Sequence, residues 1–219
     1  MNKDDNTYIP ALKFNWLTGI YDPVIALTTR ERAFKTRLIK QAAIRDGHEV
    51  LDVGSGTGTL SIWIKKKTRA AYVTGLDGDE KILSIARRKA KKAGVDINFT
   101  HGMSYEMPYQ DERFDRVLSS LFFHHLNTQN KERTFRECFR VIKPGGQLHI
   151  ADWGKPANGL MRLLFYQIQL LDGFKTTEDN IRGYLPPLMR ISGFENVEIF
   201  GEVSTIFGTM TLYRAIKPV

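Results

Sequence analysis

Val50-Leu51-Asp52-Val53-Gly54-Ser55-Gly56-Thr57-Gly58 is the stretch that decides how this chain is read. A short apolar run ends at three glycines on alternate positions, and Thr59 to Lys67 follows with helical character. A run this short, bounded by glycine, reads as a buried strand. Glycine lets the backbone turn sharply there and lets a ligand approach with no Cβ in the way.

Beyond the turn, Ala71 to Leu76 reads as a second strand and Asp77 ends it. That places a carboxylate about 20 positions past the glycine turn, where a doubly wound sheet offers it to ribose hydroxyls. The ligand implied is a nucleoside. Its class follows from charge. The dinucleotide fingerprint is Gly-x-Gly-x-x-Gly, with a pyrophosphate on the following helix N-terminus. Here the third glycine comes one residue early, and Asp52 stands two residues before the first. A carboxylate so close would repel a pyrophosphate and favour a cation. S-adenosylmethionine carries an ammonium and a sulfonium and no phosphate, so it fits better than a nicotinamide dinucleotide. An oxidoreductase is the reading this charge pattern disfavours.

Asp79 to Ala93 is a helix, with Asp79 as N-cap and Gly94 just past its end. Ile97 to Thr100 and Phe114 to Leu121 read as the third and fourth strands, and a helix capped by Thr128 or Asn130 runs to Val141. Pro144-Gly145-Gly146 reads as a turn before a fifth strand, Gln147 to Ala151. Strands alternating with helices call for a parallel sheet covered on both faces. After Asp152 the pattern changes. Gly159 to Phe174 is a long apolar helix, and Thr177 to Ser192 is a second, interrupted around Gly183 and Pro186-Pro187. Glu195 to Phe200 and Phe207 to Ile216 close the chain as an antiparallel pair. The fold class is therefore α/β, doubly wound and Rossmann-like. One domain is expected: a helical cap over 1–45, a cofactor-binding core over 46–153, a substrate-side helical insert over 154–192 and closing strands over 193–219.

These residues resemble the class I S-adenosylmethionine-dependent methyltransferases, in particular the group holding the ubiquinone/menaquinone C-methyltransferases and many small-molecule methyltransferases. Four blocks carry the resemblance in order: Val50 to Gly58; Gly75-Leu76-Asp77; Met107-Pro108-Tyr109 through Phe114-Asp115; and Arg140 to Gly146 through Ala151-Asp152. The resemblance implies that Gly54, Ser55 and Gly56 pass under the methionine part and the ribose. It puts Asp52 near the ammonium, Asp77 on the ribose hydroxyls with Gly78 beside it, and Met103 and Ser104 along the adenine. Many relatives carry an acidic residue where Met103 stands, which is a departure here. Ser120 and Leu121 would flank the methionine end, or simply pack in the strand. Tyr21, in a Tyr21-Asp22 pair before the core, is expected to close over the cofactor, its ring face attracting a cation.

Methyl transfer from a sulfonium is an in-line displacement with a neutral leaving group, so positioning and desolvation supply most of the acceleration. Three residues are candidates for direct assistance: His125 of the His124-His125 pair, Asp152 at the end of the fifth strand, and Tyr21. Trp153 is a candidate pocket wall. The apolar insert, Leu160 to Leu171, points to an apolar or aromatic acceptor, or to contact with a membrane surface.

Composition narrows the alternatives. The hydrophobic fraction is 42% and the charged fraction 26%, as in an ordinary globular domain. No signal peptide or membrane-length apolar run is visible, so a cytoplasmic protein is expected. Cys138 is the single cysteine, which excludes an internal disulfide and a multi-cysteine metal site and argues against arsenite methylation. It reads as a buried structural thiol, and no metal is expected. The net charge of +8 sits largely in Lys65-Lys66-Lys67 with Arg69 and in Arg87 to Lys92, runs read as solvated helix faces. Without interleaved aromatics they argue against a nucleic-acid substrate. RNA or protein methylation and a non-catalytic cofactor-binding regulator remain as alternative functions.

Overall fold

In a computed structural model of the chain, residues 30–156 and 159–219 are described. The elements are α1 (Glu31–Gln41), β1 (Glu49–Val53), α2 (Thr59–Lys67), β2 (Tyr72–Asp77), α3 (Glu80–Ala93), β3 (Asn98–His101) and β4 (Phe114–Ser120). A short 3-10 turn (Phe123–His125) follows, then α4 (Thr128–Val141), β5 (Ile142–Trp153), α5 (Gly159–Asp172), α6 (Phe174–Arg182), α7 (Leu185–Ile191), β6 (Glu195–Ser204) and β7 (Thr209–Ile216). The seven strands form one sheet in the order β3-β2-β1-β4-β5-β7-β6. β1 pairs in parallel with both β2 and β4, so the order reverses between β1 and β4. In open α/β sheets the ligand crevice lies at such a reversal, outside the carboxyl ends of the strands. The chain segments there are the glycine turn after β1 and the residues after Ser120.

Local chemistry explains the elements around this edge. The Asp79 side chain accepts from the amides of Lys81 and Ile82, and Gly94 ends α3 in the left-handed region, as the capping pattern predicts. Ile82, Leu83, Ala86 and Ala90 form the buried stripe of that helix, while its arginines and lysines mostly face outward. At α4 the cap is Asn127, whose side chain accepts from the Asn130 amide, one residue before the expected Thr128. The Thr128 hydroxyl is instead 2.7 Å from Asp179 Oδ2, to which it donates.

The closing region differs from expectation in three ways. β5 runs continuously from Ile142 to Trp153, taking in Pro144-Gly145-Gly146 as an irregularity in its pairing with β4. The reason is β7, whose end holds that segment: the Gly145 amide donates to the Lys217 carbonyl and the Lys217 amide to the Gly146 carbonyl. The long apolar helix stops at Asp172 because Gly173 takes φ 97°, and Phe174 begins α6. β6 and β7 are antiparallel as expected, but β7 inserts between β5 and β6, leaving β6 as the edge. β7 is buried along most of its length, whereas β6 exposes Glu195, Glu198, Glu202 and the half-exposed Phe200. Charges on an edge strand discourage pairing with another chain.

Among the described residues, no helix is long and apolar enough to cross a membrane. Cys138 is fully buried in the core beside Phe135, and burial pushes its thiol up, so it is an inert packing residue.

Candidate functional site

The glycine turn is built by backbone geometry. The amides of Gly54 and Ser55 both donate to the Leu76 carbonyl, at 2.9 and 3.0 Å, which ties the turn to β2. Gly54 and Gly56 adopt φ 68° and 53°, in the left-handed region that strains other residues. A Cβ on Gly54 would overlap the Phe122 ring, with even Phe122 Cβ only 2.8 Å away. A Cβ on Gly56 would meet nothing within 4 Å. Gly54 is therefore required by packing, while Gly56 leaves open space over the turn.

Two carboxylates bracket it. Asp77 is half-buried; its Oδ2 accepts from the Gly56 amide at 2.8 Å and its Oδ1 from the Asp79 amide at 3.0 Å. Each oxygen keeps a further lone pair for another donor. Desolvation lifts this carboxyl above its ordinary value despite those amides. The carbonyl of Gly78, next in the chain, lies 3.1 Å from His101 Nε2, a partner that sequence reasoning did not single out. Asp52 is more deeply placed, with 1% of its surface exposed. Ser61 Oγ donates to its Oδ2 at 2.6 Å, while its Oδ1 has no partner among the described residues. Burial pushes the Asp52 carboxyl up to about 6. Ser55 Oγ is likewise buried without a partner among the described residues. Unsatisfied buried acceptors are costly in a folded protein and mark places where a ligand completes the bonding. An unpartnered carboxylate oxygen, an unpartnered hydroxyl and the open space over Gly56 fit a cationic amino acid joined to a nucleoside.

On the β3 side, the Gly102 amide donates to the Asp77 carbonyl, bringing Met103 and Ser104 to the same edge. Met103 is half-buried, and Ser104 is buried with its hydroxyl 2.9 Å from Thr134 Oγ1. The Ser104 side chain is thus engaged with α4.

The fourth strand ends in a built turn. Ser119 Oγ donates to the Val53 carbonyl, Ser120 and Leu121 are half-buried, and Leu121 takes φ 54°, rare for a branched side chain. Asp152 holds the residues after Leu121. Its Oδ2 accepts from the amides of Phe122 at 3.1 Å and Phe123 at 2.7 Å; its Oδ1 meets His124 Nδ1 and the Trp153 amide, each at 2.7 Å. The carboxylate is fully buried. Burial alone would raise it, but His124 and the amide donors outweigh that and hold it below its ordinary value. An Asp152 so occupied organises the 3-10 turn; it has no side left for the acceptor-orienting role expected from sequence. The His125 ring lies tilted at 42° against His124, with centroids 4.0 Å apart. Desolvation, with His124 beside it, holds His125 down to about 3. It is a neutral imidazole at physiological pH and a weak base. Trp153, the expected pocket wall, is buried edge-on to Phe165 of α5. Tyr21 lies outside the described residues.

Sequence reasoning missed the polar clasp beneath this turn. Lys131 of α4 is wholly buried; its Nζ donates to the Thr176 carbonyl at 2.6 Å and meets Asp179 Oδ2 at 3.1 Å. Asn180 Nδ2 donates to the Trp153 carbonyl. These bonds dock α6 on α4 and on the end of β5. Only the contrast between Lys131 and the apolar spacing Phe135, Cys138, Val141 on the same helix face hinted at it.

A family profile described as "Methyltransferase domain" matches residues 50–146, the span from β1 to the irregular start of β5. The ubiquinone/menaquinone biosynthesis C-methyltransferase UbiE of Pasteurella multocida is 26% identical, with 98% of this chain and 87% of that protein covered. The demethylmenaquinone methyltransferase of Deinococcus radiodurans is 27% identical over 85% of this chain and 78% of the relative. That of Thermus thermophilus is 30% identical over 60% of this chain, which spans 59% of the Thermus protein. The chain is an S-adenosylmethionine-dependent methyltransferase. Solved structures agree on the fold. A SAM-dependent methyltransferase from Aquifex aeolicus superposes with a TM-score of 0.67 at 20% identity, covering 94% of this chain and all (100%) of that one. Phosphoethanolamine N-methyltransferase 2 from Haemonchus contortus, with S-adenosyl-L-methionine, gives a TM-score of 0.71 at 16% identity, covering 85% of this methyltransferase and 53% of the larger chain.

Proposed function

We propose that this methyltransferase alkylates a carbon of an apolar, quinol-like aromatic acceptor. The observation that carries the reading is similarity to quinone C-methyltransferases along nearly the whole chain, substrate-side helices included. The sequence of α5 supports it, being apolar through Leu160-Met161 and Leu163-Leu164-Phe165. The cofactor supplies an electrophilic methyl group on a sulfonium. The protein holds and orients it: Gly54, Ser55 and Gly56 under the methionine part and ribose, Asp77 on the ribose hydroxyls with Gly78 beside it, Asp52 toward the ammonium. Met103 packs on the adenine, the Ser104 backbone bonds it, and Ser120 and Leu121 flank the methionine end. A neutral His125 acts as a hydrogen-bonding wall, and Asp152 as a positioning residue. Tyr21 is assigned to the lid. The test is transfer of a labelled methyl group to a panel of acceptors. Label on the ring carbon of a demethylated quinol is the expected result. Label confined to a small polar amine, a protein or RNA rejects the reading.

The assignment of Asp52 predicts a pH signature. Its carboxyl must be ionised to attract an ammonium, so affinity for the methyl donor falls as pH drops from 7 to 5 through about 6. Stability runs the other way for this group. Its raised value means that ionisation costs the fold about 3 kcal/mol above pH 6, a cost removed as pH falls toward the unfolded value. His125 and His149, both held down to about 3 by burial, destabilise the fold below their unfolded value of 6.5. The Asp52 contribution is therefore read as the difference between wild type and Asp52→Asn. In urea titrations the variant gains stability over wild type at pH 7.5 and loses about half of that advantage by pH 5, the rest going only as pH nears the unfolded value, while its methyl-donor affinity is weak and flat with pH. A parallel pair of stability curves refutes the assignment.

A further inference from the structure

We propose that Phe122 reads the positive charge of the methyl donor, so that the site holds S-adenosylmethionine in preference to its neutral product. The inference rests on the placement of the methionine half over Gly54 to Gly56. The Phe122 ring covers Gly54 so closely that no side chain fits at that position. It is half-buried and also packs against the core beneath the turn. Its place is not left to chance. Leu121 turns the chain through φ 54°, Asp152 Oδ2 takes the Phe122 and Phe123 amides, and Phe123 is anchored by stacking on Phe135 at 4.5 Å and 16°. Phe122 then stands at 74° to Phe123, centroids 5.7 Å apart.

The charges around the turn make an aromatic at this point informative. Asp77 is engaged with the Gly56 and Asp79 amides at the β2 end, and Asp52 is held inside by Ser61. The stretch between them needs a different partner for a sulfonium. An aromatic face attracts a cation, while a neutral thioether gains only packing from the same ring. A carboxylate there would be the stronger attractor, but it would keep a negative charge facing the product after transfer. A phenyl ring loses its extra attraction at the moment the methyl group leaves, which favours product release.

Calorimetric dissociation constants for S-adenosylmethionine and S-adenosylhomocysteine, measured on wild type, Phe122→Leu and Phe122→Tyr, test this. Phe122→Leu keeps an apolar side chain, and thermal melting checks that it folds. The expected result is a loss of about three- to tenfold in affinity for the methyl donor, with less than a twofold change for the product. Phe122→Tyr, which keeps the ring face, retains the wild-type ratio. Equal losses for both ligands, or an unchanged ratio in Phe122→Leu, overturn the proposal. If Phe122→Leu does not fold, Phe122→Met, which also lacks a ring, is read in its place with the same expected and overturning outcomes. Wild-type protein that binds neither ligand overturns the cofactor placement and this inference together.

Discussion

Asp152→Ala should destabilise the protein by about 3–5 kcal/mol, because it strips the shared acceptor from several buried donors at once. The amides of Phe122, Phe123 and Trp153 and the His124 ring all converge on this carboxylate. Water cannot replace it without opening the turn, since Asp152, His124 and Phe123 are each buried to within 3% of full. For a chain of this length the loss corresponds to a fall in melting temperature of about 10 °C. Asp152→Asn restores the volume but points an amide donor at other donors, so it should recover only part. The effect on the site is separable from the effect on the fold. At a temperature where the variant is folded, kcat should fall more than affinity for the cofactor product, because the turn carrying Phe122 and His125 loses its register while Asp77 is untouched. Urea titration and steady-state kinetics measure the two. A destabilisation below 1 kcal/mol with unchanged kcat would falsify the positioning role.

Asp77→Ala should cost cofactor binding at least a hundredfold. Hydrogen bonds to a charged acceptor are worth about 1.5–3 kcal/mol each, and two ribose hydroxyls would be lost together. Calorimetry should show the methyl donor and its product weakened alike, because the ribose is common to both. That parallel loss distinguishes Asp77 from Phe122, where the ratio moves. The neighbouring Asp79→Ala is the control: it removes the α3 cap and about 1 kcal/mol of stability while leaving binding within about twofold. Full retention of binding by Asp77→Ala would remove the carboxylate from the site.

Much of the site was legible in the chain, for a physical reason that can be named. The β1 run, its glycines, Asp77 and the capped α3 are local: each backbone conformation is set by residues within a few positions. Gly54 and Gly56 needed the left-handed region, and Asp79 and Gly94 mark the helix ends with the chemistry that ends helices. Even the acidic residue at the end of β2 is a one-strand-away relation, fixed once the two strands are parallel neighbours.

The remainder depended on which segments meet across the fold. Asp152 looked like a free carboxylate at a strand end, yet its partners lie near residue 122, on the other side of α4. Lys131 is buried only because α6 folds over it, a contact no local pattern specifies. The insertion of β7 between β5 and β6, and with it the continuation of β5 through Pro144-Gly145-Gly146, required the chain end to return to the sheet. The order of residues alone set most of the elements, the cofactor turn and the carboxylates that flank it, because those follow from short-range backbone preference and charge. Which polar groups are consumed in holding the site together, and which are left facing it, was settled only when the chain packed. Hydrogen-bond partners far apart in sequence are chosen by packing, and a buried acceptor goes to whichever donors the packing brings.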